Sequence, residues 1–249
     1  MDMNEEFIKE RNERIRLFGK TDIFKKKGLD FIEKTFSGKY SYNFTWLGRP
    51  IIQYPQDIVA LQELEWQVQP DLIIETGIAH GGSLMLSASM LTLLEVSGTI
   101  KNGMVLGIDI DIRQHNRVEL EKHPLAKKIK MIQGSSIDAA IIKQVHDFAK
   151  NYTKILVILD SYHTHDHVLA ELNAYAPLAT IGSYCIVFDT LIEDLPDSFF
   201  SDRPWKKGNN PKTAVRTFLK AHKEFDVDET IENKLLITAA YSGYLKRIK

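Results

Sequence analysis

The sequence predicts an α/β fold with a mainly parallel sheet and helices on both faces. Short apolar runs of strand length alternate with longer segments of helical spacing along most of the chain. Residues 155–159 are apolar throughout, and a continuous run of this kind is typical of a strand that is buried on both faces. Alternation of strands and helices favours parallel strands joined by helical crossovers.

The chain before this alternation has a different pattern. The apolar side chains of residues 5–18 fall loosely on a helical stripe, and residues 42–50 form an aromatic segment rich in turn residues. A helix is expected from about residue 55 to residue 66. We therefore divide the chain into an N-terminal helical and aromatic extension, residues 1–54, and a main domain, residues 55–249.

The order of elements in the main domain follows from the positions of its apolar runs. Two closing runs, residues 234–239 and 241–245, predict a terminal pair of antiparallel strands. The elements before them are expected as a strand near Leu72, a helix near Leu86, a strand near Leu106, a helix near Val118, a strand near Met131, a helix near Ile142, a strand over residues 155–159, a helix near Leu169 and a strand over residues 184–188.

Composition narrows the classes of protein that fit. With 249 residues, 44% of them hydrophobic and 26% charged, the chain can bury a sizeable core. The formal net charge of -1 gives no overall attraction to nucleic acid, and no apolar run has the length of a membrane span. We expect neither a nucleic-acid partner nor stable membrane insertion. Cys185, alone of its type, excludes an intrachain disulfide and favours the reducing cytoplasm.

A glycine-rich turn between the first strand and its helix is the most informative segment. The apolar run stops at Glu75, and Gly77, Gly81, Gly82 and Ser83 follow in the pattern E-T-G-x-x-x-G-G-S. Glycines allow close approach of a ligand to the backbone, and the start of a helix offers free N–H groups. Glu75 disfavours a phosphate ligand, and the motif looks like the first motif of a class I S-adenosylmethionine-dependent methyltransferase. The alternative is an ordinary glycine-containing turn.

An acid at the end of the second strand fits the same interpretation. Asp109 follows the apolar run 104–108, and the carboxyl end of that strand is expected beside the first turn. Asp109 can accept hydrogen bonds from two ribose hydroxyls, with Asp111 as the fallback and capping of the next helix as the alternative role. Ser135 and Ser136, after the third strand, are expected near the adenine.

Ionisable side chains are densest after the fourth strand, where residues 160–167 read D-S-Y-H-T-H-D-H. Asp160 and Asp189, at two neighbouring strand ends, are expected to hold one Mg²⁺ ion. His163 can then accept the proton of an acceptor hydroxyl. The run H-T-H-D-H also resembles the ligand run of zinc hydrolases with one residue missing, whereas for His165 and His167 we favour roles in packing or capping.

Taken together, these motifs resemble the cephalosporin hydroxylase family over roughly residues 42–219. That family has the class I methyltransferase fold and includes rhamnosyl and macrolide-sugar O-methyltransferases. The resemblance implies that Asp160 and Asp189 hold Mg²⁺ and that His163 acts as the base. The family has a Glu-Asp pair after the fifth strand, and Phe188 replaces its Glu here.

The function expected from the sequence is O-methylation by S-adenosylmethionine. The acceptor is expected to be a sugar-type hydroxyl of a glycan, a glycolipid or a secondary metabolite. The alternatives are a protein that binds the methyl donor without catalysis and, less favoured, the zinc hydrolase. Exposed apolar residues in the segment 7–18 and near Trp46 predict a homo-oligomer.

Overall fold

The first elements of the chain precede the main sheet. The computed structural model describes residues 3–249, and it confirms the helices expected over residues 5–18 and 55–66. Two helices are followed by a short antiparallel hairpin and a third helix. These elements are α1 (Met3–Gly19), α2 (Asp22–Phe36), β1 (Phe44–Trp46), β2 (Arg49–Ile51) and α3 (Pro55–Val68).

A seven-stranded sheet forms the centre of the molecule. Its strands lie in the order β5-β4-β3-β6-β7-β9-β8, with β9 antiparallel to both of its neighbours and the strands from β5 to β7 parallel. The strands are β3 (Leu72–Thr76), β4 (Met104–Asp109), β5 (Ile129–Gln133), β6 (Ile155–Leu159), β7 (Tyr184–Val187), β8 (Phe225–Val227) and β9 (Tyr244–Arg247).

Helices cover both faces of this sheet, as the sequence predicts. Alternate residues of the central strands point to opposite faces, so Ile73 belongs to one core cluster and Leu72 and Ile74 to the other. The helices α3 and α4 pack on the first face, and α6, α7 and α8 pack on the second. The helices after α3 are α4 (Gly82–Val96), α5 (Gln114–Lys122), α6 (Ala139–Ala149), α7 (His165–Tyr175), α8 (Pro211–Ala221) and α9 (Glu229–Leu235).

The terminal antiparallel arrangement is present, but the prediction of a strand over residues 234–239 is wrong, and the strand predicted over residues 241–245 lies at Tyr244–Arg247. The first residues of the segment 234–239 end α9, and Leu236 then adopts a left-handed conformation with φ +61°. Thr238 and Ala239 follow in a loop, where the hydroxyl of Thr238 and the amide of Ala239 donate to the carboxylate of Asp57 in α3. β8 instead lies at Phe225–Val227, a run too short to stand out in the sequence.

The order in which successive strands are added to the sheet reverses between β3 and β6, although these two strands are parallel. The connections run from β3 to β4 and β5 on one side and continue to β6 and β7 on the other. In open α/β sheets, ligands bind at the carboxyl ends of the strands beside such a switch point. The loops after β3 and β6 meet there, because the amide of Asp160 donates to the carbonyl oxygen of Thr76 at 3.0 Å.

The N-terminal elements differ in how closely they join the main domain. α1 contains no buried residue, and Phe7 and Leu17 are 60% and 48% exposed. Trp46, in contrast, is half-buried, and its indole donates to Ser89 of α4 at 3.0 Å. Within residues 3–249, no helix combines the length and the apolar character that a membrane span requires.

Candidate active site

The glycine turn after β3 packs tightly against other loops. Gly77 has φ +90°, and a Cβ atom there would lie 2.0 Å from the carbonyl oxygen of Asp160. A Cβ atom on Gly82 would lie 2.2 Å from the carbonyl oxygen of Pro50 in β2. Gly81, with φ +82°, faces the side chain of Leu120. The glycines therefore let the turn, the β1–β2 hairpin and the segment after β6, residues 160–167, here called the acidic loop, approach one another within a few ångströms.

Glu75 lies below this turn in a fully buried position. Its Oε1 accepts a hydrogen bond from the hydroxyl of Ser83, at the start of α4. Burial raises the pKa of Glu75 to about 8, and the nearby charge of Asp160 adds to the increase. Its Oε2 is buried without a hydrogen-bond partner among the described residues, so one acceptor remains beside the turn.

Asp109 ends β4 beside the turn, as expected. Its Oδ2 accepts hydrogen bonds from the amides of Ile78 and Ala79, at 2.8 and 3.3 Å, and its Oδ1 accepts from the amide of Asp111 at 2.9 Å. The sequence analysis missed this contact with the backbone of the turn. Asp109 therefore fixes the conformation of the turn, whatever else it binds.

Three ionisable side chains meet at the carboxyl ends of β6 and β7. Asp160, His163 and Asp189 each place a ligand atom within 4.8 Å of the other two. Nε2 of His163 donates to Oδ2 of Asp189 at 3.0 Å, and the His163 side chain is 15% exposed. Asp189 itself adopts a left-handed conformation with φ +54°, which turns the chain away from the end of β7. The structure thus brings together the three residues that the sequence singled out here.

Electrostatic coupling within this cluster is strong. Burial and the charge of Asp189 raise the pKa of Asp160 above its ordinary value. Burial alone would lower the pKa of His163, but the charge of Asp189 and its hydrogen bond outweigh burial and raise that pKa to about 9. Two carboxyl groups this close favour a cation between them, whether it is a proton, the imidazolium or a metal ion.

Within residues 3–249, no other carboxylate joins this cluster in place of the one that Phe188 replaces. Phe188 is 2% exposed and packs in the core, so a carboxylate in the same conformation would be buried among apolar groups. Glu193 binds the amide of Gly208 and the side chain of Asn210, and Asp194 pairs with Lys212. Neither acid joins Asp160, His163 and Asp189.

The other two histidines of the acidic loop lie outside the cluster. Nδ1 of His165 is 2.8 Å from the hydroxyl of Thr213 in α8, and His167 contacts Ser136 and Ser161 at 3.1 Å each. Ser136 lies in the turn after β5, where Ser135 also accepts a backbone hydrogen bond through its carbonyl oxygen. The three-histidine arrangement that a zinc hydrolase needs is therefore absent from the described cluster.

A cavity of about 620 Å³ opens above the cluster. Its walls come from residues 36–42 and 198–205, and Gln53 and Tyr54 lie at its base. The sequence analysis missed Gln53, whose Nε2 donates to Oδ2 of Asp160 at 3.2 Å. It also missed Trp205, whose ring contacts His163 edge-on at a centroid distance of 4.9 Å. Of these walls, only Tyr42 belongs to a segment that the sequence analysis singled out, the aromatic segment of residues 42–50.

The sheet order and the position of this site define a class I methyltransferase. A glycine turn follows the central strand β3, an acid ends β4, and β9 is inserted antiparallel beside β7. The chain belongs to the rhamnosyl O-methyltransferase/CmcI family, whose model matches residues 38–248. The family that the sequence resembles is thereby confirmed, together with the predicted class of S-adenosylmethionine-dependent O-methyltransferase. The zinc-hydrolase interpretation is wrong.

Individual relatives agree with this assignment. A rhamnosyl O-methyltransferase of Mycobacterium tuberculosis is 30% identical over 210 residues, which cover 82% of this chain and 78% of that protein. A rhamnosyl O-methyltransferase of Mycobacterium leprae is 29% identical over 217 residues, covering 86% and 88%. A solved structure of CmcI with Mg and S-adenosylmethionine has a TM-score of 0.56 at 20% identity, covering 84% of this chain and 78% of that one. The last comparison shows a shared fold.

Proposed function

We propose that this protein transfers the methyl group of S-adenosylmethionine to a hydroxyl group of a sugar, with the assistance of Mg²⁺. The observation that carries the proposal is the meeting of Asp160, His163 and Asp189 below a cavity that adjoins the glycine turn. The relatives named as rhamnosyl O-methyltransferases support a sugar as the acceptor. A glycan, a glycolipid or a secondary metabolite would each present such a hydroxyl.

The residues around the glycine turn fit a sulfonium donor with an amino-acid portion. Gly77, Gly81, Gly82 and Ser83 are assigned to that portion, and the unpartnered Oε2 of Glu75 offers an acceptor for its ammonium group. Asp109 is assigned to the ribose. Ser135 and Ser136 are assigned to the adenine side.

The side chains at the acidic cluster fit a divalent cation of the Mg²⁺ type. Asp160 and Asp189 supply carboxylate oxygens, and Oε1 of Gln53 is a buried amide oxygen without a partner within residues 3–249. Mg²⁺ prefers oxygen ligands and usually retains several waters, so two carboxylates are enough to hold it. A cation bound there would supply positive charge that favours deprotonation of both His163 and a nearby acceptor hydroxyl.

The chain's own groups then have separate tasks in a single displacement. His163 takes the proton of the acceptor hydroxyl at Nδ1, because Nε2 already donates to Asp189, and Asp189 stabilises the imidazolium that results. The hydroxyl oxygen forms a bond to the methyl carbon, and the bond from that carbon to sulfur breaks with its electron pair on sulfur. No enzyme nucleophile takes part. The aromatic wall with Phe199 and Trp205 offers flat apolar faces to the C–H groups of a sugar.

The proposal is tested by binding and turnover measured separately. Calorimetry with S-adenosylhomocysteine, with and without Mg²⁺, examines the donor and the metal. Incubation with S-adenosylmethionine and a panel of rhamnosides and other glycosides, followed by mass spectrometry, examines the acceptor. Loss of product on chelation is expected. Donor binding without product on any glycoside would favour the alternative of a donor-binding protein that lacks catalysis.

Replacing Asp109 with alanine is expected to weaken binding of S-adenosylhomocysteine about 10- to 100-fold. The variant loses the proposed ribose contacts and also the two hydrogen bonds that hold Ile78 and Ala79. This range corresponds to about 1.4 to 2.7 kcal/mol, close to the roughly 1.5 to 3 kcal/mol that one hydrogen bond to a charged group contributes. The matched control is Asp111→Ala, because the Asp111 side chain is 71% exposed. Calorimetry in which Asp111→Ala alone loses affinity would move the ribose role to Asp111.

A homo-oligomeric state is proposed from α1. The side chains of Phe7 and Leu17 are 60% and 48% exposed, and contact of such apolar surface with water is unfavourable. Deletion of residues 1–20 is expected to lower the mass measured by light scattering, and Phe7→Glu should do the same without shortening the chain. A wild-type protein that is already monomeric would contradict the proposal.

The cytoplasmic location and the division of the chain at residue 54 are also proposals.

A further inference from the structure

A stripe of three polar side chains runs along α7. His167, Glu171 and Tyr175 are spaced four residues apart, so they lie on one face of the helix. Glu171 and Tyr175 are fully buried, and the His167 side chain is 15% exposed. Buried polar groups destabilise a fold unless they are hydrogen-bonded. The partners of this stripe therefore indicate what it holds in place.

The stripe binds the loops that follow β5 and β6. The hydroxyl of Tyr175 donates to the carbonyl oxygen of Ser136, after β5. Nε2 of His167 lies 3.1 Å from Oγ of Ser136 and 3.1 Å from Oγ of Ser161, after β6. The hydroxyl of Ser161 donates to Oε1 of Glu171 at 2.7 Å. Because β4 and β3 lie between β5 and β6 in the sheet, no strand pairing joins these two loops.

The direction of each hydrogen bond follows from the protons available. Ser161 has one hydroxyl proton and gives it to Glu171, so it can only accept from His167. Nε2 of His167 must then carry a hydrogen, which it shares between Ser161 and Ser136 at 3.1 Å, with Oε1 of Glu171 further away at 3.5 Å. Since Ser136 accepts this hydrogen, its own hydroxyl proton is left to donate to another group.

We infer that His167 is a positioning residue that orients the hydroxyl of Ser136 toward the methyl donor and joins the loop after β5 to the loop carrying Asp160 and His163. The inference rests on the proposed function, which assigns Ser136 to the adenine side of the donor. An adenine ring presents aromatic nitrogens that accept hydrogen bonds, and a serine hydroxyl with a free proton suits them. His167 thus affects binding of the methyl donor from the first turn of α7, although it does not contact the donor itself.

The test compares three variants with the wild type in calorimetric titrations with S-adenosylhomocysteine. His167→Ala is expected to raise Kd about tenfold, the effect of one lost or misdirected hydrogen bond. His167→Gln, which can place an amide N–H near the same position, should recover part of the affinity. The matched control is His146→Ala. Nε2 of His146, in α6, lies 2.8 Å from the carbonyl oxygen of Ala174 in α7, the helix that carries His167, but it contacts neither serine. This variant should keep wild-type affinity.

The outcomes separate this inference from the proposed function. A wild-type protein that does not bind S-adenosylhomocysteine would overturn the proposed function and the inference with it. Unchanged Kd in His167→Ala, or an equal rise in His146→Ala, would overturn the inference alone and leave His167 a packing role. If His167→Ala does not fold, Ser136→Ala is measured instead. The same tenfold rise in Kd is expected, because this variant removes the hydroxyl that is proposed to donate a hydrogen bond to the adenine.

Discussion

Replacing His163 with alanine is expected to lower turnover by a factor on the order of a hundred or more, which is the usual cost of losing a positioned base. Binding of S-adenosylhomocysteine should be unchanged, because His163 lies in the loop after β6 and the proposed donor contacts come from the loops after β3, β4 and β5. Initial rates with a glycoside acceptor and calorimetry with S-adenosylhomocysteine measure the two effects separately.

The matched control for this experiment is His165→Ala. His165 lies two residues further along the same loop, but its ring contacts Thr213 in α8 and it does not belong to the acidic cluster. Its removal should lower the melting temperature with little change in turnover per folded molecule. Similar losses of rate in both variants would mean that the loop as a whole, rather than His163, is required.

His163 also lies close enough to Asp160 and Asp189 to serve as a metal ligand. Titration of His163→Ala with Mn²⁺, followed by electron paramagnetic resonance, distinguishes the two roles. Metal affinity that stays within about threefold supports the base, since RT ln 3 is only about 0.6 kcal/mol. A parallel loss of metal affinity and rate would contradict the assignment of His163 as base and make it a ligand.

Gly77→Ala is expected to abolish donor binding and to destabilise the fold by about 2 to 5 kcal/mol. A non-glycine residue in a left-handed conformation costs roughly 1 to 2 kcal/mol, and overpacking costs about 1 to 3 kcal/mol more. The added methyl group would lie 2.0 Å from the carbonyl oxygen of Asp160, so the glycine turn and the acidic loop must move apart. Urea denaturation and calorimetry with S-adenosylhomocysteine measure both effects.

Gly182→Ala controls for the backbone term alone. Gly182 has φ +84°, close to that of Gly77, but a Cβ atom there has no neighbour within 4 Å among the described residues. This variant should lose only the cost of the left-handed conformation and should bind the donor normally. Equal destabilisation by the two substitutions would show that the contact between Gly77 and Asp160 has no energetic importance.

Much of the fold was predictable, because buried parallel strands are short apolar runs that end in polar residues. The strand expected over residues 155–159 has those same bounds in the structure. The strand expected over residues 234–239 was not present, because apolar residues serve equally well at the end of a helix. That segment is held by Asp57, which lies far from it in sequence, and local patterns contain no sign of such a contact.

The acidic cluster was predictable for a geometric reason. Asp160 and Asp189 each follow a strand, and the carboxyl ends of adjacent parallel strands meet at one edge of the sheet. Gln53 could not be found in this way, since it precedes α3 and lies 107 residues before Asp160 in sequence. The dual contacts of Asp109 were also hidden, because the sequence gives no sign that a carboxylate also binds backbone amides.

The construction of the cavity has a consequence for how new acceptors can arise. Its floor belongs to strand ends, where Asp160 and Asp189 are fixed by the sheet, whereas its walls are two short segments, residues 36–42 and 198–205. Tyr42 and Arg203 in these walls are exposed and take no part in the sheet core. Substitutions there can change the shape of the entrance while the reacting groups stay in place. On the proposed function, exchange of these two segments between relatives is expected to alter the range of acceptors.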